Sequence, residues 1–316
     1  MFRSTASFPG RSAARRAALQ TRDHVKVSHR YGPGSAVHRC ALHRVRDTLL
    51  LWLILWAFPA FAEPPKRIVS FNLCADQLVL ALADPGQIVG LSPYAADPTL
   101  SLMADAAKKY PRLDWQAEST IPLQPDLVLV GSWDRPVTRR MLGALGYRLA
   151  EVEIVSDIAA ARAQILRVAE LVGHPDRGAK LVQDLDAARA RLAARSRLPL
   201  STALIVERGG FSSGSATLAA TLLNEVGLRP PAGAPPGIGG FVSLERLLML
   251  KPDVVVLKDP PSGPTDQGAL YLTHSALRGA YPPNRQIALP ARYSMCGGPA
   301  LVAALDYLGE AVEKLR

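Results

Sequence analysis

The chain has 316 residues, of which 48% are hydrophobic and 20% are charged, and its formal net charge is +10. This is enough apolar material for one large domain or two smaller ones. The positive charge is concentrated in residues 1–62, which hold ten Lys or Arg and two Asp or Glu. The rest of the chain holds 27 Lys or Arg and 25 Asp or Glu. That remainder is nearly neutral, which argues against a nucleic-acid partner. It also has only two histidines, His174 and His274, which excludes a three-histidine metal site there.

Residues 44–62 have the pattern of a secretory signal peptide. Two arginines precede ten apolar residues, 49–58, and the sequence Ala60-Phe61-Ala62 follows. This pattern predicts export with cleavage after Ala62, because the apolar run is well short of the roughly 20 residues that span a bilayer.

Short apolar runs and longer helical runs alternate after the leader. In the first part we predict strands at 67–71, 87–91, 126–130 and 147–153, with helices at 76–83 and 136–145. Two long helices are predicted next, at 156–172 and 176–196. The alternation then resumes with strands at 202–207, 253–257 and 286–289 and helices at 216–226 and 299–314. Such alternation is typical of α/β lobes with mostly parallel sheets.

One short motif occurs in both halves of this pattern. Glu118 lies seven residues before Pro125-Asp126, and Glu245 lies seven residues before Pro252-Asp253, so the copies are offset by 127 residues. An apolar run that predicts a buried strand follows each copy. We expect a short helix to end at each proline, because proline cannot continue it. The repeat predicts two similar lobes joined by a helical spacer.

The loops after the predicted strands carry the candidate ligand-binding residues. In open α/β sheets, ligands lie at the carboxyl ends of the strands, and two lobes create a cleft between those edges. Five aromatic residues fall in these loops, and flat apolar side chains suit a large, flat ligand. The candidates are Asn72, Cys74, Tyr94, Trp115, Trp133, Arg208, Phe211, Arg292, Tyr293 and Cys296.

Several segments together resemble the periplasmic binding proteins of iron-complex and cobalamin ABC importers. They are residues 67–82, Tyr94, residues 115–128 and residues 242–253. The resemblance implies an α/β fold of two Rossmann-like lobes joined by a long rigid helix, the class III architecture. The expected organisation is a leader at 1–62, an N-terminal lobe at 63–155, a helical spacer at 156–197 and a C-terminal lobe at 198–316.

The resemblance also implies a function and a partner. A protein of this family captures a metal complex between its lobes and delivers it to an ABC permease dimer in the inner membrane; it catalyses no reaction and has no resident cofactor. We expect a periplasmic monomer. In the family, one acidic residue on each lobe meets arginines of the permease, and Glu118 and Glu245 match those positions. The alternative is that each glutamate is an ordinary solvated helix charge.

The identity of the metal complex stays open among a ferric siderophore, haem and cobalamin. Tyr94, Trp115 and Phe211 match aromatic positions that contact the corrin in cobalamin-binding members of the family. Gly239, Arg292 and Cys296 depart from that pattern, since they replace a Trp, an Asp and an Arg respectively.

Three cationic residues in the second half could favour an anionic ligand. Arg208, Lys258 and Arg292 could neutralise an anionic siderophore or the propionates of haem. Each could equally be an ordinary surface charge.

Cys74 and Cys296 both fall in predicted cleft loops, one on each lobe. Our default expectation is two separate small buried residues. A disulfide that ties the lobes together and soft ligation of a metal complex are the alternatives.

A serine hydrolase is the competing functional class. Residues 210–214 match G-x-S-x-G with Ser212 as nucleophile, and Asp259 or Asp266 and then His274 follow in the order of a hydrolase triad. The nucleophile turn of a hydrolase should leave its strand directly, but Arg208-Gly209-Gly210 intervene, which argues against this alternative.

Overall fold

The computed structural model of the protein describes residues 63–132, 135–195, 202–259 and 270–315. The predicted leader with its cleavage site, Trp133 and Asp266 lie outside the described residues. Within the described ranges, no helix combines the length and apolar character needed to cross a bilayer.

The first lobe contains one parallel sheet. Its strands are β1 (Ile68–Ser70), β2 (Ile88–Gly90), β3 (Leu127–Gly131) and β4 (Leu149–Val152), and its helices are α1 (Leu73–Leu82), α2 (Ala104–Ala107) and α3 (Pro136–Ala144). The strand order is β2-β1-β3-β4, and every pairing is parallel. All five residues of β3 are buried, as expected for a central strand covered on both faces.

Two antiparallel helices lead to the second lobe. They are α4 (Ile158–Leu171) and α5 (Pro175–Ala193). The turn between them contains Gly173 with a φ of +88°, a left-handed conformation that glycine adopts without steric cost. Pro175 occupies the first helical position of α5, where its missing N–H is not needed.

The second lobe contains a smaller parallel sheet and a hairpin. The strands are β5 (Ala203–Val206), β6 (Phe211–Ser213), β7 (Gly239–Phe241), β8 (Val254–Lys258) and β9 (Gln286–Leu289). The helices are α6 (Leu218–Glu225), α7 (Leu244–Leu250), α8 (Leu270–Thr273), α9 (Ser275–Ala280), α10 (Ala291–Ser294) and α11 (Ala300–Glu313). The parallel sheet has the order β5-β8-β9, and β6 pairs antiparallel with β7. The expected α/β fold of two lobes is confirmed.

The repeated motif has the same structure in both lobes. The Asp126 carboxylate accepts hydrogen bonds from the backbone N–H groups of Lys66 and Arg67 at 2.7 and 2.9 Å. The Asp253 carboxylate accepts from the backbone N–H and the hydroxyl of Thr202 at 2.9 and 2.8 Å. Each aspartate therefore ties the start of its own strand to the start of the neighbouring strand.

The residue before each proline of this motif is left-handed. Gln124 and Lys251 both have a φ of 44° and end the helical segment that precedes them. In the second lobe that segment is the short helix α7, as predicted, whereas in the first lobe it is a pair of 3₁₀ turns at Ala117–Ser119 and Ile121–Leu123.

Both connecting helices belong to the hydrophobic cores of both lobes. On α5, Val182 packs into the core of the first lobe, whereas Leu185 and Leu192 pack into that of the second. On α4 the assignment is reversed, since Ile158 packs into the second core and Val168 into the first. The lobes cannot rotate relative to each other without opening one of these cores.

Polar contacts also attach the two ends of α5 to different lobes. Near its start, the Arg177 guanidinium donates to the Leu82 carbonyl at 2.9 Å and to the Asp84 carboxylate at 2.5 Å, both in the first lobe. Near its end, Arg189 makes a two-bond ion pair with Glu225 of the second lobe, at 2.8 and 3.0 Å. The helix of 19 residues, about 28 Å long, is thus fastened to one lobe at each end.

A disulfide between Cys74 and Cys296 joins the lobes directly. The two residues are 222 positions apart in the chain, and their Cα atoms are 5.1 Å apart. Cys74 lies in the first turn of α1, and Cys296 follows α10 and is fully buried. The default expectation of two separate cysteines is therefore wrong, because the fold brings the loops after β1 and β9 together. Sulfur atoms in a disulfide also cannot serve as thiolate ligands.

We predict that replacing both cysteines, Cys74→Ser with Cys296→Ser, lowers the free energy of unfolding by about 2–5 kcal/mol, because the bond restricts a long loop of the unfolded chain. Denaturant unfolding measures the change. Addition of dithiothreitol should destabilise the natural protein by a similar amount and leave the double variant unaffected. Two titratable thiols in the native oxidised protein would contradict the assignment.

Candidate functional site

The loops at the carboxyl edges of the two sheets meet between the lobes. The disulfide joins the loop after β1 to the loop after β9. A second contact lies close by in sequence, where the Arg292 guanidinium donates a hydrogen bond to the Pro98 carbonyl at 3.3 Å. Arg292 belongs to the second lobe and Pro98 to the loop after β2 of the first. These two contacts define the cleft at which the candidate residues were expected.

Asn72 caps helix α1 at the edge of this cleft. Its side-chain oxygen accepts hydrogen bonds from the backbone N–H groups of Cys74 and Ala75 at 2.9 and 3.2 Å. The cap explains why α1 begins three residues earlier than the pattern predicts. The structure thus gives Asn72 a local role in positioning Cys74.

Tyr94 stands on the loop after β2 and is 48% exposed. Its ring meets the half-buried Trp115 ring edge to face, with centroids 5.5 Å apart, a favourable aromatic geometry. Trp115 packs against the first lobe, and its backbone carbonyl accepts a hydrogen bond from Thr138 at 2.8 Å. The two aromatic residues expected to contact the ligand therefore lie side by side.

The Tyr94 loop is held by a buried carboxylate that the sequence analysis did not identify. Asp76 on α1 is fully buried and accepts hydrogen bonds from the Ser92 hydroxyl and backbone N–H, at 2.5 and 3.2 Å. The Ser92 hydroxyl oxygen in turn accepts from the Tyr94 backbone N–H at 3.3 Å. A charge-assisted pair in a buried site fixes the loop firmly. A buried Asp in the first turn of a helix has no distinct sequence signal, because exposed aspartates are favoured there as well.

The second lobe presents Phe211 from the first residue of the hairpin. Phe211 faces Phe241 of strand β7, with ring centroids 5.6 Å apart and an interplanar angle of 82°. Phe241 is 80% exposed. The sequence analysis missed Phe241, because the glycine-rich segment before it reads as a loop and not as a strand.

The three cations differ in burial. The Lys258 ammonium lies 3.0 Å from the Glu207 carboxylate, and both side chains are largely buried. The Ser213 hydroxyl donates to the other oxygen of the same carboxylate. Lys258 is therefore neutralised within the lobe, which does not favour the expected role in binding an anion. Arg208 is exposed and follows β5 after Glu207.

Arg292 lies over the Tyr293 ring, with its guanidinium carbon 5.2 Å from the ring centroid, a cation–π arrangement. Tyr293 itself stacks on Tyr307 with centroids 4.5 Å apart, and it is half-buried against the second core. Burial raises the pKa of the Tyr307 hydroxyl, which donates to the Ala288 carbonyl at 2.6 Å. The Tyr293 ring thus supports the Arg292 guanidinium.

Among the described residues, the members of the predicted hydrolase triad are not assembled. Ser212 is 1% exposed in strand β6, where it pairs with Gly240. His274 is exposed, and its Nδ1 atom accepts a hydrogen bond from the Ala276 backbone N–H at 3.2 Å. The Asp259 carboxylate accepts from the Ala291 backbone N–H at 3.0 Å instead of orienting a histidine. The serine-hydrolase alternative therefore does not hold.

Glu118 and Glu245 are both exposed at the start of the segments that end at the motif prolines. The pKa of Glu245 is lowered, because its carboxylate accepts hydrogen bonds from its own backbone N–H and from Ser243, with a further contribution from His274.

In the parts of the chain that the structure describes, no cluster of three or more His, Cys, Asp or Glu could hold a metal ion.

Comparison with known proteins identifies the family. A family model described as a periplasmic binding protein matches residues 68–260. The periplasmic heme-binding protein RhuT from Roseiflexus sp. RS-1 is 25% identical, with a TM-score of 0.65, and the match covers 79% of this chain and 99% of RhuT. The periplasmic heme-binding protein BhuT, solved with two hemes, is 26% identical over 79% of this chain and 99% of BhuT, with a TM-score of 0.62.

A third solved structure supports the fold alone. The periplasmic vitamin B12 binding protein BtuF of Vibrio cholerae is 16% identical, with a TM-score of 0.61 over 79% of this chain and 97% of BtuF. A search of the curated proteins gave no match. The family match spans both lobes and the helices between them, and the chain therefore belongs to the periplasmic binding protein family, as a substrate-binding component of an ABC importer.

Proposed function

We propose that the cleft binds haem and that the protein delivers it to a dimeric ABC permease of the inner membrane. The ligand assignment rests on Tyr94, which is 48% exposed on the loop after β2 and whose backbone is held by the buried residues Ser92 and Asp76. The two relatives at 25–26% identity, RhuT and BhuT, are both heme-binding proteins, which supports the same assignment.

The phenol oxygen of Tyr94 suits ferric iron. Tyrosine is one of the side chains that hold haem iron in proteins. Among the described residues, none forms a hydrogen bond with the Tyr94 hydroxyl, so the oxygen is available to a ligand. Trp115, whose ring meets that of Tyr94, offers an apolar surface beside the iron for the flat porphyrin.

Arg292 suits the carboxylates of haem. Its guanidinium is placed at the lobe junction by Tyr293 and by the Pro98 carbonyl. An arginine keeps its charge at every physiological pH and can bind a carboxylate through two parallel hydrogen bonds. The same cation argues against cobalamin, since the corresponding position in cobalamin-binding relatives was expected to be acidic.

The proposed protein is an exported monomer. We assign cleavage to the site after Ala62, which leaves a mature chain with two cysteines in an oxidising compartment, where the disulfide between Cys74 and Cys296 can form and persist. We also propose that the N-terminal lobe ends at residue 155 and that the helical spacer ends at residue 197.

We predict that Tyr94→Phe weakens haemin binding by roughly tenfold or more, because it removes the oxygen ligand while keeping the ring. Titration followed by the visible absorption spectrum measures both affinity and iron ligation, and the spectrum of the variant should change as well. Tyr147→Phe is the matched control, since Tyr147 precedes β4 at the opposite edge of the sheet.

Unchanged affinity and spectrum in Tyr94→Phe would contradict the assignment of the iron ligand. If the natural protein binds a ferric hydroxamate or cyanocobalamin and not haemin, the ligand proposal fails while the importer function stands.

We further propose that Glu118 and Glu245 dock on basic residues of the two permease subunits. Glu118→Gln with Glu245→Gln is expected to abolish haemin uptake and leave haemin affinity nearly unchanged, because both carboxylates are exposed and neither is a proposed haem ligand. The matched control is Glu170→Gln with Glu310→Gln, which removes two exposed carboxylates from α4 and α11. Normal uptake by the first double variant would refute the docking assignment.

A further inference from the structure

One short loop of the second lobe carries the covalent contact with the first lobe. Residues 292–298, which we call the junction loop, lead from α10 towards α11 and contain Cys296. Its partner, Cys74, lies in the first turn of α1 on the first lobe. The disulfide therefore attaches this loop to the start of α1.

The junction loop packs closely on residues outside its own lobe. A Cβ atom at Gly298 would lie 3.0 Å from the Leu78 side chain of α1, and one at Gly297 would collide with the side chain of Val155, which precedes α4. The hydrogen bond from Arg292 to the Pro98 carbonyl, which also joins the loop to the first lobe, is long at 3.3 Å. Close packing of the loop is thus accompanied by weak polar attachment.

Polar side chains on both sides of the disulfide are buried without protein partners. Gln77 follows Cys74 by three residues and therefore lies on the same face of α1. It is fully buried, and neither its amide nitrogen nor its amide oxygen has a hydrogen-bond partner within the described ranges. The same is true of the hydroxyl of Ser294, which is 6% exposed and lies two residues before Cys296.

These unpaired groups disfavour the closed junction. Water would form hydrogen bonds with the Gln77 amide and the Ser294 hydroxyl if the loop and α1 separated, whereas the closed arrangement leaves both groups desolvated. The covalent bond holds the two segments together against this tendency.

We propose that the disulfide between Cys74 and Cys296 is a reducible bond that controls the junction loop. With the bond intact, the loop is held against α1. With the bond reduced, the loop separates from α1 and water enters between them. Helices α4 and α5 keep the spacing of the lobes in both states, because their side chains belong to both cores. The change is therefore confined to the loop.

The exposure of the two cysteines determines where a reductant reacts. Cys74 is partly exposed, whereas Cys296 is fully buried. The reductant class is a protein dithiol of the thioredoxin type, whose thiolate attacks the Cys74 sulfur. This step breaks the S–S bond, forms a mixed disulfide with Cys74 and releases Cys296, which takes up a proton.

A second step completes the reduction. The other thiol of the reductant, as its thiolate, attacks its own sulfur in the mixed disulfide, which closes the reductant's disulfide and releases Cys74. The position of Cys74 in the first turn of α1 stabilises the departing thiolate, which then takes up a proton. Two electrons and two protons have then passed from the dithiol to the two cysteines.

The state of the loop affects the ligand, a consequence that rests on the function proposed above. The junction loop carries Arg292, which we assigned to the haem carboxylates, and Met295, which is 42% exposed next to the bond. A released loop must be ordered again when the ligand binds, and this ordering lowers affinity. The oxidised protein is therefore the form that captures haem, and reduction favours its release.

Hydrogen–deuterium exchange tests the loop without any ligand. The mature protein is reduced with dithiothreitol in native buffer, and alkylation followed by mass spectrometry counts its thiols. We expect two alkylated cysteines in the folded protein and faster exchange at residues 292–298, while the buried strand β3 keeps its protection. A bond that resists dithiothreitol until the protein unfolds, or a loop that exchanges equally in both states, would overturn the proposal.

Haemin titration tests the effect on the ligand. Once dithiothreitol has been removed, the reduced protein is expected to bind haemin roughly tenfold more weakly than the oxidised protein. Cys74→Ser with Cys296→Ser should match the reduced protein, and reoxidation of the natural protein should restore its affinity. Leu305→Ala is the control for general destabilisation, since it removes a fully buried side chain of α11 and leaves the disulfide in place.

Equal haemin affinity in the oxidised and reduced proteins, or an equal loss of affinity in Leu305→Ala, would overturn the role of the bond in ligand release. The proposed function would stand in that case if the oxidised protein binds haemin through Tyr94. Release of the loop on reduction, in a protein that binds no haemin, would instead contradict the ligand assignment and support the control of the loop by the disulfide.

Discussion

Helices α4 and α5 contribute side chains to two hydrophobic cores at once, and this shared packing fixes the spacing of the lobes. Val182 and Leu185 are three residues apart on α5, yet they belong to different cores. Any rotation of one lobe about this helix would pull buried side chains out of close packing, at a cost typical of core disruption. The disulfide between Cys74 and Cys296 adds a covalent bond on the cleft side of the same junction. The lobes are thus held at two separate places.

A fixed spacing between the lobes favours tight binding at the proposed haem site. A preformed site loses little conformational entropy when a ligand enters, so more of the interaction energy appears as affinity. The positions of Tyr94 and Arg292 follow this rule, since each is fixed by residues of its own lobe or of the junction. The same rigidity would serve the proposed docking on a permease, because it keeps Glu118 and Glu245 at a constant distance from each other.

The sequence was sufficient to predict the alternation of strands and helices and the two-lobed fold. The repeat around Asp126 and Asp253 was visible because the buried strand must follow the proline in both lobes, and the structure shows the hydrogen bonds that make the aspartates useful there. The offset of 127 residues was therefore a physical signal and not a chance match of letters.

Other features could not be predicted, because they depend on contacts between distant residues. Nothing in the spacing of Cys74 and Cys296 reveals their bond, since it closes only when both lobes are folded. The hairpin that carries Phe241 was not among the predicted strands. Its Gly239 has a φ of 120° and lies so close to the Ser212 carbonyl that a Cβ atom would be 2.2 Å away, so a residue without a side chain lets this ladder form.

The distance between the lobes, measured with and without haemin, tests the fixed spacing most directly. Spin labels attached through non-cysteine chemistry at Lys108 and Arg278, both exposed and on different lobes, leave the disulfide intact. Pulsed electron resonance should report the same distance in both states to within about 2 Å, as for other preorganised binding sites. A shift of many ångströms on haemin binding would contradict the account, because it would require the shared cores of α4 and α5 to open.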